Sequence, residues 1–157
     1  SDAREQQAMI DHNVLCVHCP DSNINICSGF APVRQMKNRG VWVALGSDIA
    51  GGAQLPMLSV LTGALRMSKA RAIATEGREP FLTVGEAYYL ATSAGARYFG
   101  DMDGFAPGNP LHAVVLDETA LPPSARELTL KERFERAVYL SDDRSIVAVY
   151  GAGKQIK

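Results

Sequence analysis

Nowhere in the 157 residues is there an unbroken apolar run of about eighteen, the length a bilayer-crossing helix needs. No charged stretch leads into an apolar one at the N-terminus, as it does in secretory signals. Charge of one sign is missing too. The 16 Lys and Arg oppose 17 Asp and Glu, for a formal net charge of −1, and nothing in that balance draws a chain strongly to nucleic acid or to an anionic membrane. Cysteine is scarce: Cys16, Cys19 and Cys27 are an odd number crowded into one stretch, unlike the disulfide framework of a small secreted domain. Internal repeats and low-complexity tracts are absent, as are the Gly-Lys-Ser/Thr of a phosphate loop and the G-x-S-x-G of a nucleophile elbow. These absences predict a soluble, cytoplasmic chain of one ordinary domain's length, with no nucleic acid and no membrane among its partners.

What is present centres on Val41-Trp42-Val43-Ala44-Leu45 followed by Gly46-Ser47-Asp48-Ile49-Ala50-Gly51-Gly52. Five consecutive apolar residues read as a strand buried on both faces, as in parallel sheets. Asp48 lies just past the strand's C-terminal end, where parallel α/β folds carry their chemistry. A carboxylate there can bind a metal or move a proton, and it can equally serve as a turn or helix-cap residue.

The rest of the chain organises around that strand. Residues 2–12 read as a short helix, with Asp2 and Glu5 fitting a capping box. This pattern begins without a lead-in or initiator Met, which suggests a piece cut from a longer chain. Val14-Leu15-Cys16-Val17-His18-Cys19 reads as a strand stopped by Pro20, and Pro20-Asp21-Ser22-Asn23 reads as a turn. A short helix over 32–38 and the strand from Val41 complete a βαβ unit of roughly 33 residues. Its strands are expected to run parallel, with the Cys19-Pro20 and Gly46-Ser47-Asp48 ends on one side of the sheet. Residues 54–75 predict a long amphipathic helix. A second long helix starts at Thr83, capped by Glu86, and runs to Gly100. Beyond about residue 105 the chain turns strand-rich: His112–Asp117 and Ser145–Tyr150 read as strands around a helix over 129–140, and Gly151-Ala152-Gly153 reads as a hairpin turn.

Other groupings carry less. Cys16-Val17-His18-Cys19 contains a C-x-x-C, but on a strand residues three apart point to opposite faces, so buried structural thiols are expected rather than a metal or redox site. His18 shares a face with Cys16 and is expected to serve structurally more than as a metal ligand, although a neighbouring strand could bring it toward Asp48. Asp101-x-Asp103-Gly104 starts like a calcium loop, yet its sixth and twelfth positions are Ala106 and His112, so a β-turn is expected. Asp142-Asp143-Arg144 reads as an exposed turn.

Several segments, in order, resemble the guanine deaminases of the metal-dependent amidohydrolase superfamily. They are His18-Cys19-Pro20-Asp21-Ser22-Asn23, Ser28-Gly29-Phe30, Gly46-Ser47-Asp48-Ile49-Ala50-Gly51-Gly52, Met57-Leu58, Leu90-Ala91-Thr92 with Gly95-Ala96, Gly104-Phe105-Ala106-Pro107-Gly108, Tyr139-Leu140-Ser141-Asp142-Asp143-Arg144 and Gly153-Lys154-Gln155. The likeness covers the family's C-terminal half and nearly all of this chain. It implies an α/β fold: the last two βα units of a (β/α)8 barrel plus part of a small β-sandwich domain. Residues 1–104 would form the partial barrel, from helix 6 to helix 8, with residues 14–19 as strand seven and 42–46 as strand eight. Residues 105–157 would belong to the composite β domain.

By the same resemblance Asp48 is the strand-eight aspartate that binds zinc (or iron) and shuttles a proton while guanine and water become xanthine and ammonia. The family's other ligands, an H-x-H on strand one and His residues of strands five and six, have no counterpart here, nor does its strand-five Glu. The resemblance therefore implies a zinc-dependent homodimeric parent of purine catabolism that acts on a small-molecule purine, and a chain that is inactive and metal-free alone. Two alternatives are a parent acting on another aminopurine, a pterin or a chlorotriazine, and a non-catalytic assembly module.

Overall fold

The computed structural model describes residues 1–100 and 104–157. The Asp101-x-Asp103 pair therefore lies outside the described residues. Helix α1 (Ala3–Asp11) is closed at its start by the predicted box: Asp2 Oδ1 accepts from the Arg4 and Glu5 amides, and Glu5 reaches back to the Asp2 amide. Strand β1 (Leu15–His18) follows, and α2 (Pro20–Asn25) and α3 (Val33–Arg39) lead to β2 (Trp42–Leu45). The two strands pair in parallel, from Leu15 opposite Trp42 to His18 opposite Leu45, and the Gly46 amide extends the ladder to the His18 carbonyl at 3.1 Å. The expected βαβ unit is present, and both strand ends fall on one side of the pair.

Residues 20–25 are helical rather than a simple turn. Pro20 occupies the first helical position, where its fixed φ suits a helix and its missing N–H costs nothing. Asp21, Ser22 and Asn25 use their side chains on a distant loop, so these turn-forming residues do not compete for their own backbone.

Helix α4 (Met57–Ala74) buries Val60, Leu61, Ala64 and Leu65 against β2 and its neighbours, the i, i+1, i+4, i+5 stripe of an inward helix face. Helix α5 (Val84–Ala91) begins at Thr83 with the predicted capping box from Glu86. The long helix expected from Thr83 to Gly100 is broken at Thr92. There the hydroxyl donates to the Tyr88 carbonyl at 2.8 Å, a back-bond that bends helices. The chain resumes as α6 (Ser93–Ala96) and a 3-10 turn over Arg97–Phe99. The Trp42 indole N–H donates to the Ala94 carbonyl at 2.8 Å and ties α6 to β2. The core joins Val43, Ala44 and Leu45 to Val33, Met36, Leu82, Leu90 and Val138, so β2 is buried on both faces.

The later residues form a three-stranded antiparallel sheet, β3 (Ala113–Leu116), β4 (Ile146–Gly151) and β5 (Lys154–Gln155), in the order β3-β4-β5. The β4–β5 turn is Ala152-Gly153, both at positive φ, the mirror-image geometry that tight hairpins favour. Helix α7 (Leu130–Leu140) lies between β3 and β4 in sequence and packs on α4, with Ala137 and Val138 buried. Among the described residues no helix is long and apolar enough to cross a membrane.

Candidate functional site

The C-terminal ends of β1 and β2 open onto one tight loop, residues 48–53. Asp48 has φ +45 and Ala50 φ +88, a left-handed region that side-chain-bearing residues occupy at some cost, least for Asp. The Gly52 amide donates to the Asp48 carbonyl at 2.7 Å and the Ala50 amide to the Gly52 carbonyl at 3.1 Å, which closes the loop on itself. The Gly-Gly pair leaves no free space. A Cβ on Gly51 would sit 2.7 Å from Asp48 Oδ2 and 2.8 Å from Ser22 Oγ. A Cβ on Gly52 would meet the Ser47 carbonyl at 2.8 Å and the Ser22 amide nitrogen at 3.0 Å.

Helix α2 holds this loop with three side chains. Ser22 Oγ donates to Asp48 Oδ2 at 2.6 Å, Asn25 Nδ2 donates to the Gly51 carbonyl at 2.7 Å, and Asp21 Oδ2 accepts from the Ala53 amide. Ser22 is buried while Asp48 is exposed. The carboxylate therefore has one oxygen fixed by the protein, and among the described residues no hydrogen bond engages Oδ1. Sequence reasoning singled out Asp48 and missed its three supporters. The available signal was their position: small polar side chains shortly after β1, at the strand end that a parallel pair sets beside Asp48.

His18 is not part of this cluster. It is 4 % exposed and lines a cavity of about 10 Å³ with Ala31, Val33, Arg34, Ala64, Met67, Ser68, Arg71 and Glu79. Its Nδ1 has no hydrogen-bond partner among the described residues. Burial lowers its pKa to about 4, so the ring is neutral at ordinary pH. The structural role expected for His18 agrees with this placement, against the face of α4. Cys16 and Cys19 are free and half-buried, with thiol pKa values raised, chiefly by burial.

One side chain at this strand end has the chemistry of a metal donor. Asp48 presents an exposed carboxylate, with Oδ1 uncommitted, at the end of a strand, the donor type that zinc accepts. Among the described residues no group of three or more His, Cys, Asp and Glu is arranged to hold an ion. A complete catalytic zinc site needs about three protein ligands, more than the described residues bring together at this strand end.

Comparison with known proteins matches residues 2–156 to the amidohydrolase family. The human guanine deaminase is 30 % identical over 165 residues, an alignment that takes in 98 % of this chain and 36 % of the human protein. A crystal structure of guanine deaminase from C. acetobutylicum with bound guanine superposes with a TM-score of 0.92 at 38 % identity, over 100 % of this chain and 37 % of that one. A zinc-bound adenosine deaminase from Xanthomonas campestris superposes with a TM-score of 0.79 at 28 % identity, over 99 % of this chain and 34 % of that one. The chain thus spans little more than a third of the length of the relatives it matches.

Proposed function

Since the chain belongs to the amidohydrolase family, we propose that it is the C-terminal part of a zinc-dependent guanine deaminase-like hydrolase, with Asp48 as a metal ligand and proton carrier. The observation that carries this reading is the placement of Asp48: a carboxylate held by one oxygen at the C-terminal end of a buried parallel strand, with its other oxygen uncommitted. The likeness to guanine deaminases in both sequence and fold supports the substrate. Residues 14–19 and 42–46 then serve as barrel strands seven and eight within residues 1–104, and residues 105–157 serve as part of the composite β domain.

Zinc, when bound, lowers the pKa of a coordinated water toward neutrality. Asp48 would take a proton from the attacking water and deliver it to the amino group, which leaves as ammonia, the double duty of a general base that becomes a general acid. Helix α2 and the Gly51-Gly52 turn keep that carboxylate in place. Guanine and water become xanthine and ammonia. The remaining ligands and the purine-contacting side chains come from parts of the enzyme that this chain does not contain, so the 157 residues alone are inactive. The same reading makes the whole enzyme a cytoplasmic homodimer of purine catabolism.

The test is xanthine formation from guanine, measured with zinc content in the same samples, for the full-length polypeptide that carries this sequence and for the 157 residues alone. Turnover with near-stoichiometric zinc in the first and neither in the second is the expected result. Turnover by the 157 residues alone would overturn the assignment of the missing ligands. The Xanthomonas adenosine deaminase favours one second reading, a different aminopurine as substrate. A substrate panel that shows faster turnover of adenosine than of guanine would select it.

A further inference from the structure

Helix α2 supplies no reacting group, yet among the described residues its three long-range side-chain hydrogen bonds all converge on residues 48–53. We propose that Ser22 is a positioning residue for Asp48, fixing the carboxylate plane so that Oδ1 is the oxygen left for the metal and the proton. This inference rests on the reading of Asp48 given above.

Several observations carry it. Ser22 is 2 % exposed, so its hydroxyl has no water to satisfy it, and its 2.6 Å bond to Asp48 Oδ2 is a short bond to a charged acceptor. The backbone that carries the hydroxyl is held on several sides. Pro20 fixes the entry to the helix, the Ser22 carbonyl accepts from the Ile26 amide, and the Ser22 backbone lies against Gly52 so closely that a Cβ there would meet the Ser22 nitrogen at 3.0 Å. Asp48, in contrast, sits on an exposed loop at positive φ, where nothing else described restrains its side-chain torsions. The buried partner is the hydroxyl and the exposed partner is the carboxylate. A hydroxyl supporting a metal-binding carboxylate typically changes affinity or turnover about 10–100-fold.

The experiment is a double-mutant cycle in the full-length polypeptide that carries this sequence, comparing Ser22→Ala, Asp48→Asn and the double substitution. Zinc affinity is read by competition with a chromophoric chelator, and kcat and KM are read separately with guanine. Ser22→Ala is expected to weaken zinc binding and lower kcat, each about 10–100-fold, with KM within about threefold. On the Asp48→Asn background it is expected to add no further loss, because the bond it removes is already compromised. Ser22→Thr keeps the hydroxyl and should hold kcat and zinc affinity well above the alanine variant, which also covers the case in which Ser22→Ala fails to fold.

Zinc affinity and kcat within about twofold of the parent in Ser22→Ala would overturn the proposal. So would an equal loss on both backgrounds, or a folded Ser22→Thr as impaired as alanine, since each marks Ser22 as scaffold only. Undiminished zinc binding and turnover in Asp48→Asn defeats the reading of Asp48 itself. Impaired Asp48→Asn beside an unaffected Ser22→Ala defeats Ser22 alone.

Discussion

The residues from α1 to α6 and those from β3 to β5 are held together in opposite ways. In the first region several side-chain bonds reach far along the chain and are at least partly sheltered. Trp42 bonds to Ala94, Ser22 to Asp48, and Arg34 grips both oxygens of Glu86 at 2.6 Å with Lys37 alongside at 2.9 Å. In the second region the ion pairs span fewer residues and are wet: Arg126 with Glu132, Arg133 with Glu118, Arg144 with Asp142. The strands differ likewise. Val43, Ala44 and Leu45 of β2 are all buried, whereas Val114 of β3 is 55 % exposed and Val147 of β4 is 53 % exposed. Exposed ion pairs contribute little, since water screens them and long side chains lose entropy. The first region should therefore carry most of the folding free energy, and it is also the region that holds Asp48.

The largest test of that contrast is in α4. Leu61, 1 % exposed in the centre of the core, becomes a cavity in Leu61→Ala, at an expected cost of about 2–5 kcal/mol. Val147→Ser on the exposed face of β4 should stay within about 0.5 kcal/mol. Urea unfolding of both variants measures the pair, and comparable losses would break the comparison.

A smaller effect probes the Asp48 loop. Gly52→Ala drives a methyl against two backbone atoms, the Ser47 oxygen and the Ser22 nitrogen, neither of which is the end of a flexible side chain. Overpacking of that kind costs about 1–3 kcal/mol, and here it should also separate α2 from residues 48–53. Thermal melting should show the loss. Gly85→Ala is the control: a Cβ there meets nothing within 4 Å, and in a helix alanine is favoured over glycine by about 1 kcal/mol.

The contrast also marks where sequence reasoning reaches. The buried strand was legible because five apolar residues leave little alternative, and Asp48 because a carboxylate directly follows them. Thr83 and Glu86 announce their own cap. Three things were not legible, each for a tertiary reason. Asp21, Ser22 and Asn25 are turn-formers by local preference, and they are helical because a loop 26 or more residues away takes their side chains. Thr92 breaks an Ala- and Gly-rich run through a back-bond that no periodicity reveals. Strand alternation puts Cys16 and His18 on one face without saying which face meets α4, and the structure turns His18 to that helix and away from Asp48.

Acid should separate two groups within the first region. Burial lowers the His18 pKa to about 4 from an ordinary 6.5, so the unfolded chain takes up the proton first. His18 stability is therefore fully present above about pH 6.5 and drains away as pH falls toward 4. Glu86 is held well below the usual carboxylate range, first by the Arg34 guanidinium. Its contribution is present above the unfolded value of 4.5 and is lost only below it. Urea midpoints measured from pH 7 to 3 should show two successive declines. His18→Leu should flatten the first and leave the second, and Glu86→Gln should do the reverse. A His18→Leu profile that still falls between pH 6.5 and 4.5 would assign that decline elsewhere.

The smallest effect lies where the most ionic contact is drawn. Arg133 meets Glu118 at 2.5 Å through Nη2 and at 2.9 Å through Nε, a two-pronged pair joining α7 to the 3-10 turn after β3. Its geometry is as good as that of Arg34 with Glu86. Its setting is not, because the Arg133 side chain is 53 % exposed against 13 % for Arg34. If geometry alone set the strength, Glu118→Gln and Glu86→Gln would lower the melting temperature equally. If shelter from water decides, Glu118→Gln leaves the melting temperature unchanged within measurement scatter, and raising salt from 0.05 to 0.5 M brings the Glu118 variant and the parent no closer than they already were. The second outcome is expected. A melting shift in Glu118→Gln as large as that in Glu86→Gln would mean that the later sheet is fastened to α7 by this pair, and the two regions would then differ in appearance more than in mechanism.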